Sequence, residues 1–259
     1  MFFRQLYDEG LAQASYVIGC DRCEEALVVD PRRDIDAYLT LARAEDLRIT
    51  AVAETHIHAD FLSGGRELAA ATGATLYVSG HAQAGEGYLP DQPGINLRLV
   101  TDGEVLTIGE VRARVRHTPG HTPEHICLDI FESSARPQPM MLLSGDFIFV
   151  GDLGRPDLLE QALGKEGAAK DGARSTFASL RSAVRELPGF IVVGLYLFAL
   201  PPLLARTVMR PFFLKMGFVR FFILVTLMQF MAALPIKMVL RWSFNLKYIV
   251  YIPEIFFNI

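Results

Sequence analysis

The sequence Thr55-His56-Ile57-His58-Ala59-Asp60-Phe61 follows an alternating apolar segment, residues 48–54, that predicts a β-strand. On an extended segment, side chains two residues apart point to the same side, so both imidazoles of this H-x-H pair face one surface. A carboxylate two residues later can bind a metal ion or orient a metal ligand. This combination predicts a metal centre at the end of a strand.

Two further segments carry residues of the types that bind metals. In Pro119-Gly120-His121-Thr122, the glycine allows a tight turn, so that His121 can reach inward from a loop. In Ser144-Gly145-Asp146, a carboxylate stands immediately after an apolar strand. An aspartate there is often only a turn former. Together with the H-x-H segment, however, the order and spacing indicate one shared site.

The first 188 residues alternate between strand patterns and helix patterns. Strand patterns cover residues 2–7, 14–19, 26–30, 48–54, 74–79, 105–108, 111–117, 126–131 and 140–144, and helix patterns cover residues 34–46, 62–71 and 172–187. Strand clusters interrupted by helices in this order predict an α/β fold, in which two mixed sheets pack together with helices outside.

These motifs resemble those of the metallo-β-lactamase superfamily, which run H-x-H-x-D-H, then a loop histidine, then an aspartate. Residues 1–187 are similar to its persulfide dioxygenase branch, especially the type fused to rhodanese domains. The similarity is carried by Gly10-Leu11-Ala12-Gln13-Ala14-Ser15-Tyr16, Val29-Asp30-Pro31-Arg32-Arg33-Asp34, residues 54–64, residues 118–123 and Gly151-Asp152-Leu153-Gly154-Arg155-Pro156-Asp157. The resemblance implies a metallo-β-lactamase-like αββα sandwich.

One departure from the superfamily pattern concerns the number of metal ions. Phe61 stands where dinuclear hydrolases have a histidine, and no histidine follows His125. A second metal would therefore lack two nitrogen ligands. The resemblance points to His56, His121 and Asp146 as ligands of one iron. Two histidines and one carboxylate with open positions form the facial arrangement of non-haem Fe(II) oxygenases.

The resemblance also implies a reaction and roles for further residues. It implies one Fe(II) per chain and the oxidation by O2 of glutathione persulfide, or a related persulfide, to sulfite. His58 and Asp60 are expected to act in catalysis by orienting ligands and metal-bound water. Arg155 matches an arginine close to the substrate, where it would pair with a carboxylate. The alternative for Arg155 is a structural ion pair with Asp152 or Asp157.

Two other functions stay open. One is a zinc-dependent thioester hydrolase of the glyoxalase II type, against which Phe61 and the missing late histidine count. The other is a degenerate metallo-β-lactamase-like domain that serves as a membrane-tethered binding module. The intact set of three ligands opposes this last reading. The net charge of -4 argues against nucleic acid as a partner.

The composition divides the chain at Pro188-Gly189. Residues 1–189 carry 18 Lys and Arg against 28 Asp and Glu, whereas residues 190–259 carry 7 against one. We expect a catalytic domain over residues 1–188, kept in the cytoplasm because no secretory signal opens the chain. Residues 189–259 form a hydrophobic, basic tail whose two uncharged stretches predict helices associated with membrane lipid. The alternative is a pair of buried core helices.

The remaining cysteines and histidines receive structural interpretations. Cys20-Asp21-Arg22-Cys23 is a lone C-x-x-C in a turn, and we expect no metal or redox role for it. Cys127 is expected in the core. His117 and His125 are expected to be structural, and His81 to lie on the surface.

Overall fold

The computed structural model of the chain describes residues 1–81, 94–149, 152–157, 160 and 167–186. The predicted tail, residues 189–259, lies outside these ranges. Within them, no helix is both long enough and apolar enough to cross a membrane.

The first sheet has six strands in chain order. They are β1 (Phe2–Asp8), β2 (Gln13–Cys20), β3 (Glu25–Val29), β4 (Arg48–Ala53), β5 (Thr75–Ser79) and β6 (Asn96–Val100). The first three strands pair antiparallel, and β3 to β6 pair parallel. Because β3 and β4 are parallel neighbours, the residues that follow them emerge side by side at one edge of the sheet.

The second sheet is antiparallel and has the order β10-β9-β8-β7. Its strands are β7 (Val105–Ile108), β8 (Val111–His117), β9 (Ile126–Phe131) and β10 (Met141–Leu143). A short hairpin of β11 (Ile148–Phe149) and β12 (Asp152–Leu153) follows. The loops after β8 and β10 carry the predicted ligands His121 and Asp146.

In the described part of the chain, three helices cover the outer faces of the two sheets. They are α1 (Asp36–Ala44), α2 (Gly65–Thr72) and α3 (Ala168–Glu186). Tyr38 of α1 and Leu68 of α2 are fully buried against the first sheet. Ala183 of α3 packs against Cys127 of the second sheet. A third core lies between the sheets, where alternate residues of each strand point inward. The predicted αββα sandwich is therefore confirmed for the described residues, although the second sheet is antiparallel rather than mixed.

Several local predictions differ from the structure; α3, for example, begins at Ala168 rather than at residue 172. The second helix begins at Gly65 rather than at residue 62, because Ser63 forms a bridge with Arg32 and the Gly64 N–H donates to the Pro31 carbonyl. These contacts hold the chain extended before the helix. The strand β6 was not predicted, since Asn96 and Arg98 interrupt its apolar pattern.

Candidate metal centre

Three predicted ligands converge at the edge where β4, β8 and β10 end. Nε2 of His121 lies 3.5 Å from Oδ2 of Asp146, and Nε2 of His56 lies 3.9 Å from the same oxygen. The three ligand atoms all lie within 4.8 Å of one another. Metal–ligand bonds to nitrogen and oxygen are about 2.0–2.2 Å long, so one ion between these atoms can reach all three with small adjustments.

Hydrogen bonds orient both imidazoles for metal binding. The His121 Nδ1 lies 3.1 Å from the Arg155 carbonyl oxygen, which can only accept, so Nδ1 carries the proton. The His56 Nδ1 donates to Thr55 Oγ1 at 2.9 Å, because the Thr55 hydroxyl itself donates to Asp30 at 2.8 Å. With Nδ1 protonated, each Nε2 directs its lone pair at the Asp146 carboxylate. This donor set fits a divalent metal ion.

The electrostatics of the site also keep the His56 ring uncharged, which leaves its Nε2 free to bind a metal ion. Burial and the nearby charge of His58 lower the pKa of His56 to about 3, so its ring is neutral at neutral pH. Burial raises the pKa of Asp146, while His121 and His58 oppose this rise. A carboxylate in such surroundings gains from a bound cation, which offsets the cost of desolvating its charge.

His125 supports Asp146 through a hydrogen bond to its backbone. Its Nε2 accepts a hydrogen bond of 3.1 Å from the Asp146 backbone N–H. Its Nδ1 donates to Thr118 Oγ1 at 2.8 Å, and the Thr118 hydroxyl lies 3.2 Å from the Cys127 sulfur. Gly145 has φ +48, and an added Cβ there would lie 2.7 Å from Nε2 of His125. The structural role predicted for His125 is therefore to hold the loop that carries Asp146.

His58 belongs to a different group from His56. The rings lie side by side, with centroids 4.2 Å apart, but Nε2 of His58 lies 3.1 Å from Oδ1 of Asp30 and 3.3 Å from Oε2 of Glu54. The regular strand ends at Ala53, so the H-x-H segment does not keep the alternation that would direct both rings at one target. Asp30 and Glu54 were not among the predicted site residues.

This second group is a buried ion cluster. Burial would lower the pKa of His58, but the charges of Asp30 and Glu54 and their hydrogen bonds raise it to about 10. Burial raises the pKa of Glu54, whereas His58 holds the pKa of Asp30 below its usual value despite burial. The Phe61 ring lies 4.3 Å from the His58 ring and covers it. His58 therefore presents a fixed positive charge beside the metal centre.

Asp60 and Arg155 lie closer to solvent. Asp60 is exposed, and its charge contributes to the raised pKa of Asp146. The Arg155 guanidinium binds both carboxylate oxygens of Asp157, at 2.9 and 2.8 Å. The structure thus contains the ion pair with Asp157 that was the alternative for Arg155. Its role in binding substrate stays a prediction.

Two further histidines form a stacked pair beside the loop of His121. The rings of His81 and His117 are 3.7 Å apart and nearly parallel. His117 Nε2 donates to the Pro123 carbonyl at 2.9 Å. Contrary to the prediction of a surface residue, His81 is only partly exposed, because its ring packs on that of His117.

Comparisons with known proteins identify relatives of this domain. The sequence model of the Metallo-beta-lactamase superfamily matches residues 8–194. A hydroxyacylglutathione hydrolase from Rhodospirillum rubrum is 37% identical over 142 residues, which are 54% of this chain and 49% of that protein. A solved metallo-beta-lactamase from Staphylococcus aureus is 45% identical, with a TM-score of 0.66 over 72% of this chain and 53% of that chain.

ETHE1 from Myxococcus xanthus is also a structural neighbour, 27% identical with a TM-score of 0.49, and the match covers 64% of this chain and 70% of that one. The chain spans about half the length of both the R. rubrum hydrolase and the S. aureus protein. The match to the family model confirms the resemblance seen in the motifs at the level of the superfamily.

Proposed function

The chain belongs to the metallo-beta-lactamase superfamily, and from this we propose that it is a mononuclear iron dioxygenase that oxidises a glutathione-derived persulfide to sulfite. The observation that carries the proposal is the set His56, His121 and Asp146, together with Phe61. The hydrocarbon ring of Phe61 packs on His58 and offers no ligand atom for a second metal. One metal with three protein ligands suits Fe(II) chemistry with O2.

The residues of the chain have distinct tasks in this proposal. His56, His121 and Asp146 would hold Fe(II), which when bound would supply open coordination positions for O2 and for the persulfide sulfur, and that sulfur provides the electrons that reduce O2. Asp60, which is exposed, is proposed to orient ligands and metal-bound water. His58, held charged by Asp30 and Glu54, places a positive charge against His56 and helps to keep the His56 ring neutral.

The proposed substrate class is supported by the name of a relative and by exposed apolar side chains close to the ligands in sequence. The name of the R. rubrum relative contains glutathione, which supports a glutathione-derived small molecule. Ile57, Leu62 and Leu153, close in sequence to the ligands, expose apolar side chains. Arg155, kept in place by Asp157, lies two residues after Leu153 and is proposed to pair with a substrate carboxylate.

The competing function is a zinc-dependent thioester hydrolase of the glyoxalase II type. The observation that favours it is the 37% identity to a protein named hydroxyacylglutathione hydrolase. The same three ligands would hold Zn²⁺, which lowers the pKa of a bound water. Its difficulty is Phe61, because the resemblance places a histidine ligand at that position in the dinuclear hydrolases.

One experiment distinguishes the two enzymes. The full chain is purified without oxygen, its metals are measured, and it is given glutathione persulfide in one vessel and a glutathione thioester in another. We expect about one iron per chain, O2 consumption with sulfite formation, and no thioester cleavage. The Asp146→Ala variant should lose this activity. Two tightly bound zinc ions together with thioester cleavage would show that the hydrolase is right.

For residues 189–259 we propose association with membrane lipid, with the catalytic domain on the cytoplasmic side. The support is the sequence: two uncharged stretches, residues 190–205 and 221–236, flanked by basic residues. The full chain should sediment with membranes and resist high salt. A full chain that stays monodisperse without detergent would contradict this. A membrane-bound chain lacking both metal and activity would instead favour the binding module.

A further inference from the structure

Cys20 and Cys23 lie together at the turn between β2 and β3, where sequence analysis predicted no redox role. The Cys23 N–H donates to the Cys20 carbonyl at 3.1 Å, so the two residues are the first and last of a β-turn. That relationship brings their Cα atoms within about 7 Å, the range in which a disulfide can form. Both cysteines are free thiols.

The turn between β7 and β8 brings the two side chains to one point. Gly109, with φ +58, lies directly over the cysteines, and an added Cβ there would be 2.5 Å from Cβ of Cys23 and 2.9 Å from Cβ of Cys20. The backbone N–H of Glu110 donates to the Cys20 sulfur at 3.3 Å. Any other residue at position 109 would collide with the cysteine pair, whereas glycine leaves room for both sulfurs.

The two thiols differ in exposure and in protonation. Cys23 is exposed, whereas Cys20 is 4% exposed. Burial would raise the pKa of Cys20, but hydrogen bonds from the Glu110 N–H, the Cys23 thiol and nearby backbone lower it. The pKa of Cys23 is raised, chiefly because its thiol donates to Cys20. In a reactive dithiol pair, an exposed sulfur reacts first and a stabilised thiolate lies next to it. Cys23 and Cys20 have this arrangement.

We propose that Cys20 and Cys23 form a reversible dithiol–disulfide site whose oxidant is a low-molecular-weight disulfide such as glutathione disulfide. Cys23 attacks one sulfur of glutathione disulfide and passes its proton to Cys20. The glutathione S–S bond breaks, a Cys23–glutathione disulfide forms, and one glutathione thiolate leaves. That thiolate takes the proton from Cys20.

In the second step, the disulfide between Cys20 and Cys23 forms. The Cys20 thiolate attacks the Cys23 sulfur, the mixed disulfide breaks, and the second glutathione leaves as a thiolate that takes a proton from water. The two protein thiols lose two electrons and glutathione disulfide gains them, so that two glutathione molecules form. A reductant thiol reverses both steps.

The site is separate from the metal centre. Cys20 pairs with Glu25 at one end of the β2–β3 ladder, and Tyr16 pairs with Val29 at the other. Asp30, which bonds the segment that carries His56, follows Val29. At about 3.3 Å per residue, the cysteines are about 15 Å from that end of the sheet. The inference therefore does not depend on the proposed reaction.

The test uses the full chain, reduced, desalted and then treated with glutathione disulfide. We expect the unfolded protein to show one thiol instead of three, a mass lower by two hydrogen atoms, and no retained glutathione. Trypsin cuts after Arg22, so residues 5–22 and 23–32 should appear joined until a reductant separates them. Cys127, whose pKa burial raises to about 12, should stay reduced and serves as the internal control.

Two matched variants assign the steps. Cys20→Ser should trap one glutathione on Cys23, since the resolving thiol is gone. Cys23→Ser should retain Cys20 as a thiol. Wild-type protein that keeps all three thiols, or that accumulates glutathione on Cys23 beside a reduced Cys20, would overturn the proposal. The peptide map of the wild-type protein tests the proposal by itself. The result therefore does not depend on whether either variant folds.

Discussion

The imidazole of His125 accepts a hydrogen bond of 3.1 Å from the backbone N–H of Asp146, the only carboxylate in the candidate metal centre. The other ring nitrogen donates to Thr118 at 2.8 Å, so the ring is fixed at both ends. His125 is fully buried, and burial keeps its pKa well below the usual value. The neutral ring therefore holds the loop of Asp146 without adding charge.

The first prediction concerns this hydrogen bond. His125→Ala should weaken metal binding about 10- to 100-fold, the usual effect of losing a group that orients a ligand. His125→Gln should lose less, because its side-chain oxygen can accept from the Asp146 N–H. Titration of the metal-free variants with Fe(II) and Zn²⁺ measures both effects. Equal affinity in all three proteins would show that the Asp146 loop needs no support from His125.

The second prediction concerns the ligand His121. His121→Ala should lose most of the bound metal, because two of three ligands then remain. The matched control is His81→Ala, since that ring stacks on His117 and belongs to neither cluster of potential ligands in the described part of the chain. Metal analysis of both variants after identical purification gives the comparison. A control that loses as much metal as His121→Ala would point to general unfolding instead.

The convergence of the three candidate ligands could be predicted from sequence because each lies in a short local motif. His56, His121 and Asp146 each follow a strand pattern and carry a side chain of the right type. Their meeting at one edge follows from the layered fold. The ends of strands were predictable to within one or two residues where apolar residues alternate, as in β8, or form a short continuous run, as in β9.

The ion cluster beside the metal could not be predicted in the same way. Asp30 and Glu54 are 24 residues apart in sequence, and only the parallel pairing of β3 with β4 makes them neighbours. A signal was nevertheless present, since each acid ends an apolar strand pattern. The short strands β11 and β12 lacked any signal, because two residues are too few for a periodic pattern.

The third prediction concerns the pH dependence of the His58 cluster. Its folded pKa, about 10, is above the unfolded value of about 6.5. The stabilisation is therefore complete below pH 6.5 and is lost as the pH rises through 10. In metal-free protein, His58→Gln should cost about 3 kcal/mol at pH 6, because two buried carboxylates lose their partner.

Urea unfolding of the wild type and His58→Gln at pH 6, 8 and 10, with a chelator present, measures this dependence. The difference in unfolding free energy should narrow toward pH 10, as wild-type His58 loses its proton. His117→Gln is the control, since that ring donates to a neutral carbonyl rather than to carboxylates. A difference that grows with pH would mean that His58 is neutral in the folded protein.

The last prediction concerns an ion pair between α3 and the second sheet. The Arg116 guanidinium lies 2.6 Å from the Glu186 carboxylate and also binds the fully buried Asp129. The hydrogen bond from Arg116 lowers the pKa of Glu186. A lowered folded pKa stabilises the protein above the unfolded value of about 4.3, and this stabilisation is lost as the pH falls through the folded pKa.

Glu186→Gln should therefore cost stability at pH 7 and little at pH 3. Since the Glu186 side chain is 55% exposed, solvent screening limits the expected cost to below about 1 kcal/mol. Glu132→Gln is the matched control, because Glu132 pairs with Arg136, four residues further along the same segment, and this pair does not join α3 to the sheet. Urea unfolding at pH 3 and pH 7 compares the two. An equal loss at both pH values would mean that the neutral contacts of Glu186, and not its charge, join α3 to the sheet.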